Sequence, residues 1–324
     1  MQNILITGGA GYIGSHTAKA ILKAGFQPIV YDNLSRGFRE LVKFGPLVEG
    51  DLLDSSKLKT ALLHYKPVAC IHFAAFAYVG ESVANPGLYY RNNVLGSLYL
   101  IENLLEASVK KIVFSPTCAT YGQPDVALIS ESCPQKPINP YGHSKLMVEQ
   151  LLKDFDVSHG FKSVALRYFN ACGADAEGEI GEMHDPEPHL IPRIIMAAQG
   201  RIPHIDVMGT DYPTPDGTAI RDYIHVEDLA TAHVQAMNYL LNGSNSDAFN
   251  LGTGKGNSVK DVIAAVRRAS NRDVPVNYVA RRAGDPAQLV ADNSKAKTVL
   301  GFNPRYLDIE KSVLTAMRWH ERPN

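Results

Sequence analysis

A tyrosine and a lysine at helical spacing are the first residues of this chain that could carry out chemistry. In the stretch "NPYGHSKLMVEQ" (139–150), Tyr141 and Lys145 stand four positions apart, so on a helix they would share one face about one turn apart. A free phenol, with a pKa near ~10, is a poor base at neutral pH, but a nearby ammonium favours the phenolate and lowers that pKa. The pair predicts a general base built from tyrosine, although an ordinary surface pair gives the same spacing.

A threonine hydroxyl extends this candidate catalytic group. Thr117, in "FSPTCATYG", lies 24 residues before Tyr141 and ends an apolar run that is typical of a buried strand. Sites in open α/β sheets form at the carboxyl ends of strands, and a hydroxyl there could share a proton with Tyr141 and a substrate alcohol. We therefore predict that Thr117, Tyr141 and Lys145 are catalytic, and that Lys145 also binds the ribose of a nicotinamide cofactor.

A glycine-rich turn near the first residue predicts a nucleotide site. In "ITGGAGYIGSH", Gly9, Gly11 and Gly14 form GxGxxG, while Gly8, Gly11 and Gly14 form GxxGxxG, directly after the strand-like "NILIT". Glycine permits the tight turn and lets backbone N–H groups approach a pyrophosphate at a helix N-terminus. The strand–turn–helix context indicates that a dinucleotide binds here.

Acidic residues after the next strands indicate which dinucleotide this is. Asp32 ends the second strand, near the ~20-residue offset expected of a ribose-binding acid. Its carboxylate would repel a 2′-phosphate, so NAD is predicted rather than NADP, although Arg36 in "DNLSRG" could meet such a phosphate. Asp51, in "EGDLLD", is a candidate for the adenine and also for the N-cap of the following helix.

The order of the segments predicts an α/β fold. Strand-like and helix-like runs such as "QPIVYDN", "DSSKLKTALLHY" and "VACIHFAA" alternate through the first half, which is typical of a doubly wound parallel Rossmann sheet. A long loop and shorter elements follow and predict a smaller C-terminal α/β substrate-binding domain. We expect an NAD-binding domain of residues 1–170 plus about 220–252, with 220–251 returning to the large sheet, and a second domain of about 171–219 plus 253–324.

Composition and charge exclude several classes of protein. The formal net charge is −1, so neither a nucleic-acid groove nor a membrane-binding surface is predicted. No stretch reaches the ~18 apolar residues that a membrane helix needs, and the N-terminus shows no signal-peptide pattern. The four cysteines, Cys70, Cys118, Cys133 and Cys172, form no CxxC pair, so we expect a cytoplasmic protein without a disulfide framework.

Nine motifs make the chain similar to a known family. They are "TGGAGYIGSH", "YDNLSRG", "HFAA…VGESV", "YYRNNVLG", "FSPTCATYG", "NPYGHSK", "LRYFNACGA", "GTDYPTPDGTAIRDYIHV" and "RRAGDP". On these motifs, which span nearly the whole length, the chain resembles the extended short-chain dehydrogenase/reductase family, and the last two resemble its nucleotide-sugar 4-epimerases. The resemblance implies an isomerase of carbohydrate and galactose metabolism that uses NAD to interconvert UDP-glucose and UDP-galactose through a transient 4-keto sugar.

The resemblance also implies which residues hold the two ligands. The residues expected to bind NAD are Gly8, Gly11, Tyr12, Ile13, Gly14, Asp32, Asn33, Asp51, Leu52, Phe73, Ala74, Ala75, Asn93, Ser115, Tyr141, Lys145 and Phe169. The residues expected to bind the UDP-sugar are Thr117, Asn170, His189, Leu190, Met208, Arg221, Tyr223, Arg282, Asp285 and Leu289. Arginine suits a diphosphate because its fork donates to two oxygens.

Three positions depart from the family's pattern. Thr117 stands where many members have serine, which keeps the hydroxyl, and Ala77 stands where some have a lysine near the nicotinamide. Met208 stands where many have an aromatic residue beside the uracil, so the stacking partner is open.

One position bears on the range of sugars. Family members with tyrosine at the position of Leu289 tend to be limited to glucose and galactose, whereas smaller residues leave room for an N-acetyl group. We therefore predict activity on UDP-GlcNAc and UDP-GalNAc as well, unless Leu289 packs inward and another side chain fills the gap.

Three other functions share parts of this sequence pattern. A UDP-pentose 4-epimerase acting on xylose or arabinose needs the same residues and stays open. A nucleotide-sugar 4,6-dehydratase is disfavoured because Cys118 and Ala119 follow Thr117 where related dehydratases carry an acidic pair. A non-catalytic NAD sensor is disfavoured because Tyr141 and Lys145 are both present.

Two further expectations concern a metal and a partner. The segment "HDPEPH" holds plausible metal ligands in His184, Asp185, Glu187 and His189, but its two prolines are expected to prevent the side chains from converging, so no metal is predicted. In the resembled family, the helix of about residues 86–108 and the Tyr141 helix form a dimer interface, so a homodimer is expected.

Overall fold

The computed structural model describes residues 1–282 and 285–322, and parallel strands dominate its sheets. Its strands are β1 (Asn3–Thr7), β2 (Gln27–Asp32), β3 (Leu47–Glu49), β4 (Ala69–His72), β5 (Lys111–Phe114), β6 (Lys162–Tyr168), β7 (Asn170–Cys172), β8 (Ile205–Met208), β9 (Ile220–His225), β10 (Asp247–Leu251), β11 (Gly256–Ser258), β12 (Val276–Val279) and β13 (Gln288–Leu289). Seven of them form one parallel sheet in the order β10-β6-β5-β4-β1-β2-β3. The strand order reverses between β1 and β4, and ligands bind at such a switch point in open α/β sheets.

Helices connect and flank these strands. They are α1 (Tyr12–Lys23), α2 (Ser55–Tyr65), α3 (Val79–Ala84), α4 (Pro86–Tyr89), α5 (Gly96–Glu106), α6 (Pro140–His159), α7 (Leu190–Ala198), α8 (Val226–Leu241), α9 (Val259–Ser270), α10 (Ser294–Leu300) and α11 (Ile309–His320). A π-helical segment, Tyr90–Leu95, joins α4 to α5. Short 3₁₀ helices cover Arg39–Leu41 and Cys118–Tyr121. In the described ranges no helix combines the length and apolarity needed to cross a bilayer.

The large sheet is covered on both faces. Ile4 and Ile6 point to one face and pack with residues of α1 and α8, whereas Leu5 points to the other and packs with residues of α2, α5 and α6. Alternate side chains of β1 therefore enter two different cores, as they must in a strand buried on both sides. The predicted doubly wound α/β sheet is confirmed.

The second half of the chain forms smaller sheets. Strand β9 pairs with β7, β11 and β13, and β8 pairs with β12. Helices α7, α9 and α11 pack with β8 in a third apolar core. Within the segment 220–251, β10 is a strand of the large sheet and α8 packs against that sheet. Strand β9 is not part of the large sheet, so this part of the prediction is wrong. The division into two domains stays our proposal.

Local sequence signals explain where several helices begin and end. Asp54 caps α2 by accepting from the N–H of Lys57 at 3.1 Å, so Asp51 is not the N-cap of this helix. Asn139 caps α6 by accepting from the N–H of Gly142 at 2.9 Å, and Pro140 occupies the first helical position, where its missing N–H costs nothing. Gly160 ends α6 with φ of 65°, a conformation that favours glycine.

Candidate active site

The glycine-rich turn between β1 and α1 has the shape that dinucleotide binding requires. Gly8 has φ of +71°, and a Cβ there would lie 2.5 Å from the backbone nitrogen of Ala74. A Cβ on Gly14 would lie 2.2 Å from the carbonyl oxygen of Gly8. Gly11 is the N-cap of α1 and receives no side-chain cap, so the first helical N–H groups are left to a ligand or water. Of the two overlapping patterns, Gly8-Gly11-Gly14 contains the positions with the tightest backbone constraints.

Asp32 ends β2 beside this turn. Its carboxylate accepts from the N–H of Ala10 at 3.0 Å and from the N–H of Leu34 at 2.8 Å. The residue is buried, and burial raises the pKa of its carboxyl although the two N–H groups oppose this. The carboxylate is thus oriented by backbone donors at the edge of the glycine-rich turn, as its predicted role at a ribose requires.

The neighbouring predicted residues form a polar group at the same edge. The amide of Asn33 donates to the carboxylate of Asp51 at 2.8 Å, and Leu52 after it is buried in the core. Arg36 is ion-paired with Glu81 at 2.5 Å, and its guanidinium lies over the rings of Phe76 and Tyr78. Arg36 is therefore an exposed loop residue whose charge is already paired.

The loop after β4 faces the glycine-rich turn across the switch point. The N–H groups of Phe73 and Ala74 both donate to the carbonyl of Thr7, at 2.9 and 3.1 Å, and Ala75 continues the loop. The Phe73 ring packs against His233, with centroids 4.6 Å apart. The predicted cofactor residues Tyr12 and Ile13 lie opposite at the start of α1, where the Tyr12 hydroxyl donates to the carbonyl of Gly173 at 2.5 Å.

Asn93 holds this loop in place. It lies in the π-helical segment and is 1% exposed. Its carboxamide accepts from the N–H of Phe76 at 2.9 Å and donates to the carbonyl of Phe76 and to the hydroxyl of Ser144, both at 3.0 Å. Asn93 therefore ties the predicted cofactor loop to α6. Ser144 was not predicted, and its position between Tyr141 and Lys145 was the available signal.

Thr117 and Tyr141 lie near each other at the carboxyl end of the sheet. Thr117 follows β5, its hydroxyl accepts from the N–H of Ala119 at 3.1 Å, and Tyr141 lies in the first turn of α6. Burial raises the pKa of the Tyr141 phenol, and the Thr117 hydroxyl opposes the rise. The sharing of a proton between the two side chains stays a prediction.

Lys145 faces the sheet rather than the Tyr141 hydroxyl. Its ammonium donates to the carbonyl of Ser115 at 2.8 Å and lies 5.0 Å from the centre of the Phe114 ring. Burial lowers the pKa of Lys145 to about 7. The predicted lowering of the Tyr141 pKa by Lys145 is not observed, because burial dominates at both groups. The Ser115 hydroxyl in turn shares a hydrogen bond with Tyr168, which was not predicted.

The predicted substrate residues gather where β9 meets β13. Arg221 and Leu289 are paired neighbours on these strands, and the Arg221 guanidinium lies 3.8 Å from the Asp285 carboxylate. Asn170 is paired with the buried Tyr223 on the other side of β9. Arg282 is exposed, and its carbonyl accepts from the N–H of Asp285. Ala283 and Gly284 of the "RRAGDP" motif lie outside the described residues.

Leu289 is buried beside the catalytic turn. It is 9% exposed and packs in a cluster with Cys118, Tyr121 and Phe169. The structure thus brings together a residue predicted for the sugar pocket, one predicted for NAD and the neighbour of Thr117. The range of sugars predicted from Leu289 stays a prediction.

An open cavity of about 490 Å³ adjoins these residues. Asp285 lines it, as do Tyr212 and Arg281, whose guanidinium lies 4.5 Å from the centre of the Tyr212 ring. Neither Tyr212 nor Arg281 was predicted, although both lie within motifs of the resemblance. Met208, at the end of β8, is half-buried. The cavity provides an aromatic face and a cation, two features that suit a nucleotide.

His189 and Leu190 stand at the start of α7, at the end of the long loop 173–189. The His189 Nδ1 lies 2.8 Å from a carboxylate oxygen of Glu182 and 3.0 Å from one of Glu187. Burial lowers the pKa of His189, but the two carboxylates outweigh it and raise that pKa to about 10.

The expectation for this segment was that its four candidate side chains would not all converge. Three of them, His184, Glu187 and His189, do converge, and Glu182, which was not predicted, completes the group. Asp185 is exposed and is not part of the group.

The sequence model of the NAD dependent epimerase/dehydratase family matches residues 4–252, most of the chain. The chain belongs to this family. Family members catalyse their reactions with NAD, as the description of the family states, and the match includes Thr117, Tyr141 and Lys145.

Individual members of the NAD dependent epimerase/dehydratase family are similar over nearly the full length. A UDP-glucose 4-epimerase of Rhizobium meliloti (strain 1021) is 52% identical over 323 residues, which cover 100% of this chain and 98% of the relative. The crystal structure of UDP-glucose 4-epimerase from Brucella ovis in complex with NAD is 51% identical, with a TM-score of 0.96 and 98% of each chain covered. The Bifidobacterium longum enzyme of that name, in complex with NAD⁺ and UDP, is 37% identical, with a TM-score of 0.93 and 98% of each chain covered.

The residues present fit the cofactor of the NAD dependent epimerase/dehydratase family. A Cβ at Gly8 would collide with the backbone of Ala74 and one at Gly14 with the carbonyl of Gly8, so only glycine permits the tight strand–turn–helix geometry that dinucleotide binding uses. Asp32 offers an oriented carboxylate at the end of β2, which suits ribose hydroxyls.

Proposed function

We propose that the chain is an isomerase that interconverts UDP-glucose and UDP-galactose, with NAD as a retained cofactor. The observation that carries the proposal is the placement of Tyr141 near Thr117 at the carboxyl end of the sheet, close enough for the threonine hydroxyl to oppose the rise of the Tyr141 pKa. Relatives named UDP-glucose 4-epimerase, similar over the whole length, support it.

In this proposal Tyr141 moves the proton of the sugar 4-hydroxyl. Tyr141 accepts that proton, and the nearby Thr117 hydroxyl orients the phenol and the sugar hydroxyl. NAD, when bound, would supply the acceptor and the donor for the hydride at C4. The positive charge of NAD⁺ would favour the phenolate and so offset the burial that raises the pKa of Tyr141.

Inversion requires that the sugar turns while the nucleotide stays bound. Arg221, Arg282 and Asp285 lie on or beside β9 and β13 and are proposed to hold the diphosphate and the uridine ribose. Arg221 lies 3.8 Å from Asp285 and already forms part of a polar group. The wall contributed by Leu289 and Phe169 is apolar, so it would hold the 4-keto sugar weakly and allow it to present its other face.

The reaction products distinguish this proposal from a pentose epimerase, a 4,6-dehydratase and an NAD sensor. Purified protein is incubated with UDP-galactose, UDP-N-acetylgalactosamine and UDP-arabinose, each coupled to detection of its 4-epimer. We expect the hexose epimer without any dehydrated product, because the buried Cys118 cannot replace an acidic group beside Thr117. Turnover of UDP-arabinose alone would favour the pentose epimerase, and no turnover would favour the NAD sensor.

The sugar range is proposed to include N-acetylhexosamines. Leucine at position 289 lacks the ring and hydroxyl of tyrosine, and it can contact an acetyl methyl group without leaving a polar group unpaired. Its place among Cys118, Tyr121 and Phe169 supports a position at the sugar wall.

Leu289→Tyr should cut the activity on UDP-N-acetylgalactosamine at least ~10-fold and spare the activity on UDP-galactose. Retained hexose activity shows that the variant is folded. Leu289→Met conserves volume and serves as the control, with both activities within a few-fold of wild type. Equal loss of both activities, or no N-acetyl turnover by wild type, would end this part of the proposal.

The proposal also covers the oligomeric state and the cellular compartment. We propose a homodimer formed by α4, the following π-helical segment and α6, because Leu88, Leu95 and Met147 are exposed there. We also place the reaction in the cytoplasm, since all four cysteines are free thiols and a reducing compartment keeps them so.

A further inference from the structure

A group of two histidines and two glutamates lies on the loop 182–189, outside the catalytic residues. The ligand atoms of Glu182, His184, Glu187 and His189 all lie within 4.8 Å of one another. The spacing i, i+2, i+5 and i+7 brings all four from one short segment. No part of the proposed catalysis uses Glu182, His184 or Glu187.

The distances in this group match those between ligands of one metal ion. The four N–O separations are 2.8 and 3.0 Å for His189 and 3.4 Å twice for His184. Ligands at bonds of about 2.1 Å lie about 3.0 Å apart at right angles and about 3.4 Å apart in a tetrahedron. Both histidines present Nδ1 to the same two carboxylates, so the four ligand atoms surround one small region.

The composition of the group selects the kind of metal. Two imidazole nitrogens and two carboxylate oxygens suit a borderline divalent ion such as Zn²⁺, whereas Ca²⁺ and Mg²⁺ take oxygen ligands. Glu182 and Glu187 are 6% and 8% exposed, and His189 at 45% leaves a path from solvent. Imidazole ligation through Nδ1 leaves the Nε2–H of His189 as a donor on the outer side.

A second group of carboxylates on the same loop differs because a lysine already neutralises it. Asp175, Glu177 and Glu179 also converge, but the ammonium of Lys19 lies among them, 2.8 Å from Asp175 and 2.5 Å from Glu179. That group already holds a cation. In the described part of the chain, the ion pairs of Glu182 and Glu187 involve only His184 and His189.

We propose that Glu182, His184, Glu187 and His189 form a binding site for one Zn²⁺-class divalent ion. The ion ties the segment 182–189 into one unit and fixes the His189 ring at the N-terminus of α7. Tyr12 and Tyr78 flank the site, with ring centroids 6.5 and 6.2 Å from that of His184. The ion is thus structural, and the site is distinct from the residues that move protons or hydride.

The test uses the full-length protein without a polyhistidine tag. Wild type, Glu182→Gln, His184→Gln and the control Glu177→Gln are desalted, and bound zinc is measured by mass spectrometry. Chelator-treated samples are then titrated with Zn²⁺ in competition with a chromophoric chelator. We expect one Zn²⁺ per chain in wild type and control, and at least ~10-fold weaker binding in the two ligand variants.

Two results would overturn the site. Wild type that binds no stoichiometric Zn²⁺ would show that the group is an ion-pair network of protonated histidines. Ligand variants that bind as tightly as Glu177→Gln would place the ion elsewhere. If a ligand variant does not fold, the Co²⁺ form of wild type decides, because a nitrogen–oxygen site gives visible ligand-field absorption and an ion-pair network gives none. Epimerase activity is not a readout, so failure here leaves the proposed function untouched.

Discussion

At the scale of single residues, Tyr141 carries the proposed reaction and Thr117 orients it. The Thr117 hydroxyl is near enough to oppose the rise of the Tyr141 pKa, whereas Lys145 donates to the Ser115 carbonyl. Burial raises the pKa of Tyr141 and lowers that of Lys145 to about 7. In the protein without its cofactor, the Tyr141 phenol therefore stays protonated. The positive charge of bound NAD⁺ would favour its phenolate form, which is the base.

Tyr141→Phe should lose turnover by ~10²–10⁴-fold, the usual contribution of one general base. The variant keeps the ring and its contact with Tyr89, whose centroid lies 6.4 Å away, so it should fold and still retain NAD. Steady-state turnover and the NAD content of the purified variant are the two measurements. Turnover close to wild type would show that another group takes the proton.

Residue types and spacing were sufficient to select Thr117, Tyr141, Asp32 and the glycine-rich turn as candidates, and their roles stay predictions. Each selection depends on a local pattern, such as a strand end or helical spacing. The direction of the Tyr141 pKa shift could not be predicted, because it depends on burial by residues distant in the chain. The convergence of the Glu182 and His189 side chains was also not predicted, because it depends on the path of a loop that has no periodic pattern.

At the scale of secondary-structure elements, a buried ion pair fixes α6 against β6. Arg167 donates to the Glu149 carboxylate at 3.0 and 2.6 Å and to the Tyr121 hydroxyl at 2.8 Å. Glu149 lies on the helix that carries Tyr141, and Tyr121 lies in the turn that Thr117 caps. One guanidinium therefore holds both elements that present the catalytic pair.

Arg167→Met should lower the free energy of unfolding by about 3–5 kcal/mol, because it removes the counter-ion of a buried carboxylate and leaves Glu149 only the amide of Gln135, at 3.2 Å from both oxygens. The side chains of Arg167 and Glu149 are 4% and 2% exposed, so solvent does not replace the lost partner. Urea unfolding of wild type and variant measures the change.

The double variant Arg167→Met/Glu149→Leu is the matched control. Replacing both charges with apolar groups of similar size is often close to neutral, so most of the lost stability should return. Turnover should stay reduced, because the shared anchor of the Thr117 turn and α6 is gone. A double variant as unstable as the single one would show that the charge pair is not the cause.

The alternation of segments predicted the large sheet, but the assignment of β9 to that sheet is wrong. Strand β9 carries "IRDYIH", a run with no feature that assigns it to one sheet rather than another, and tertiary pairing with β7, β11 and β13 decides its place. Helices α10 and α11 near the end of the chain were not predicted. The helix expected at about 86–108 contains a π-helical segment at Tyr90–Leu95. The hydrophobic periodicity of the sequence does not predict such a segment.

At the scale of the whole molecule, two copies are proposed to associate through α4, the π-helical segment and α6. Leu88, Leu95 and Met147 are 38%, 37% and 46% exposed, and apolar groups in one area favour burial against a partner.

Leu95→Glu should shift the protein from dimer to monomer, because a charge would be desolvated in the interface. Light scattering after size exclusion measures the mass in solution. Leu307→Glu, at a leucine 56% exposed in the segment before α11, is the control and should stay dimeric. A monomeric wild type, or equal behaviour of the two variants, would contradict the proposed interface.

The central claim is that hydride leaves and returns at one carbon while the nucleotide stays bound. The most direct measurement uses UDP-glucose that carries deuterium at C4 of the sugar, with proton NMR and absorbance followed together. The account predicts UDP-galactose that keeps its deuterium at C4, with no net NADH and no exchange with solvent. Solvent hydrogen at C4, stoichiometric NADH or absence of UDP-galactose would contradict it.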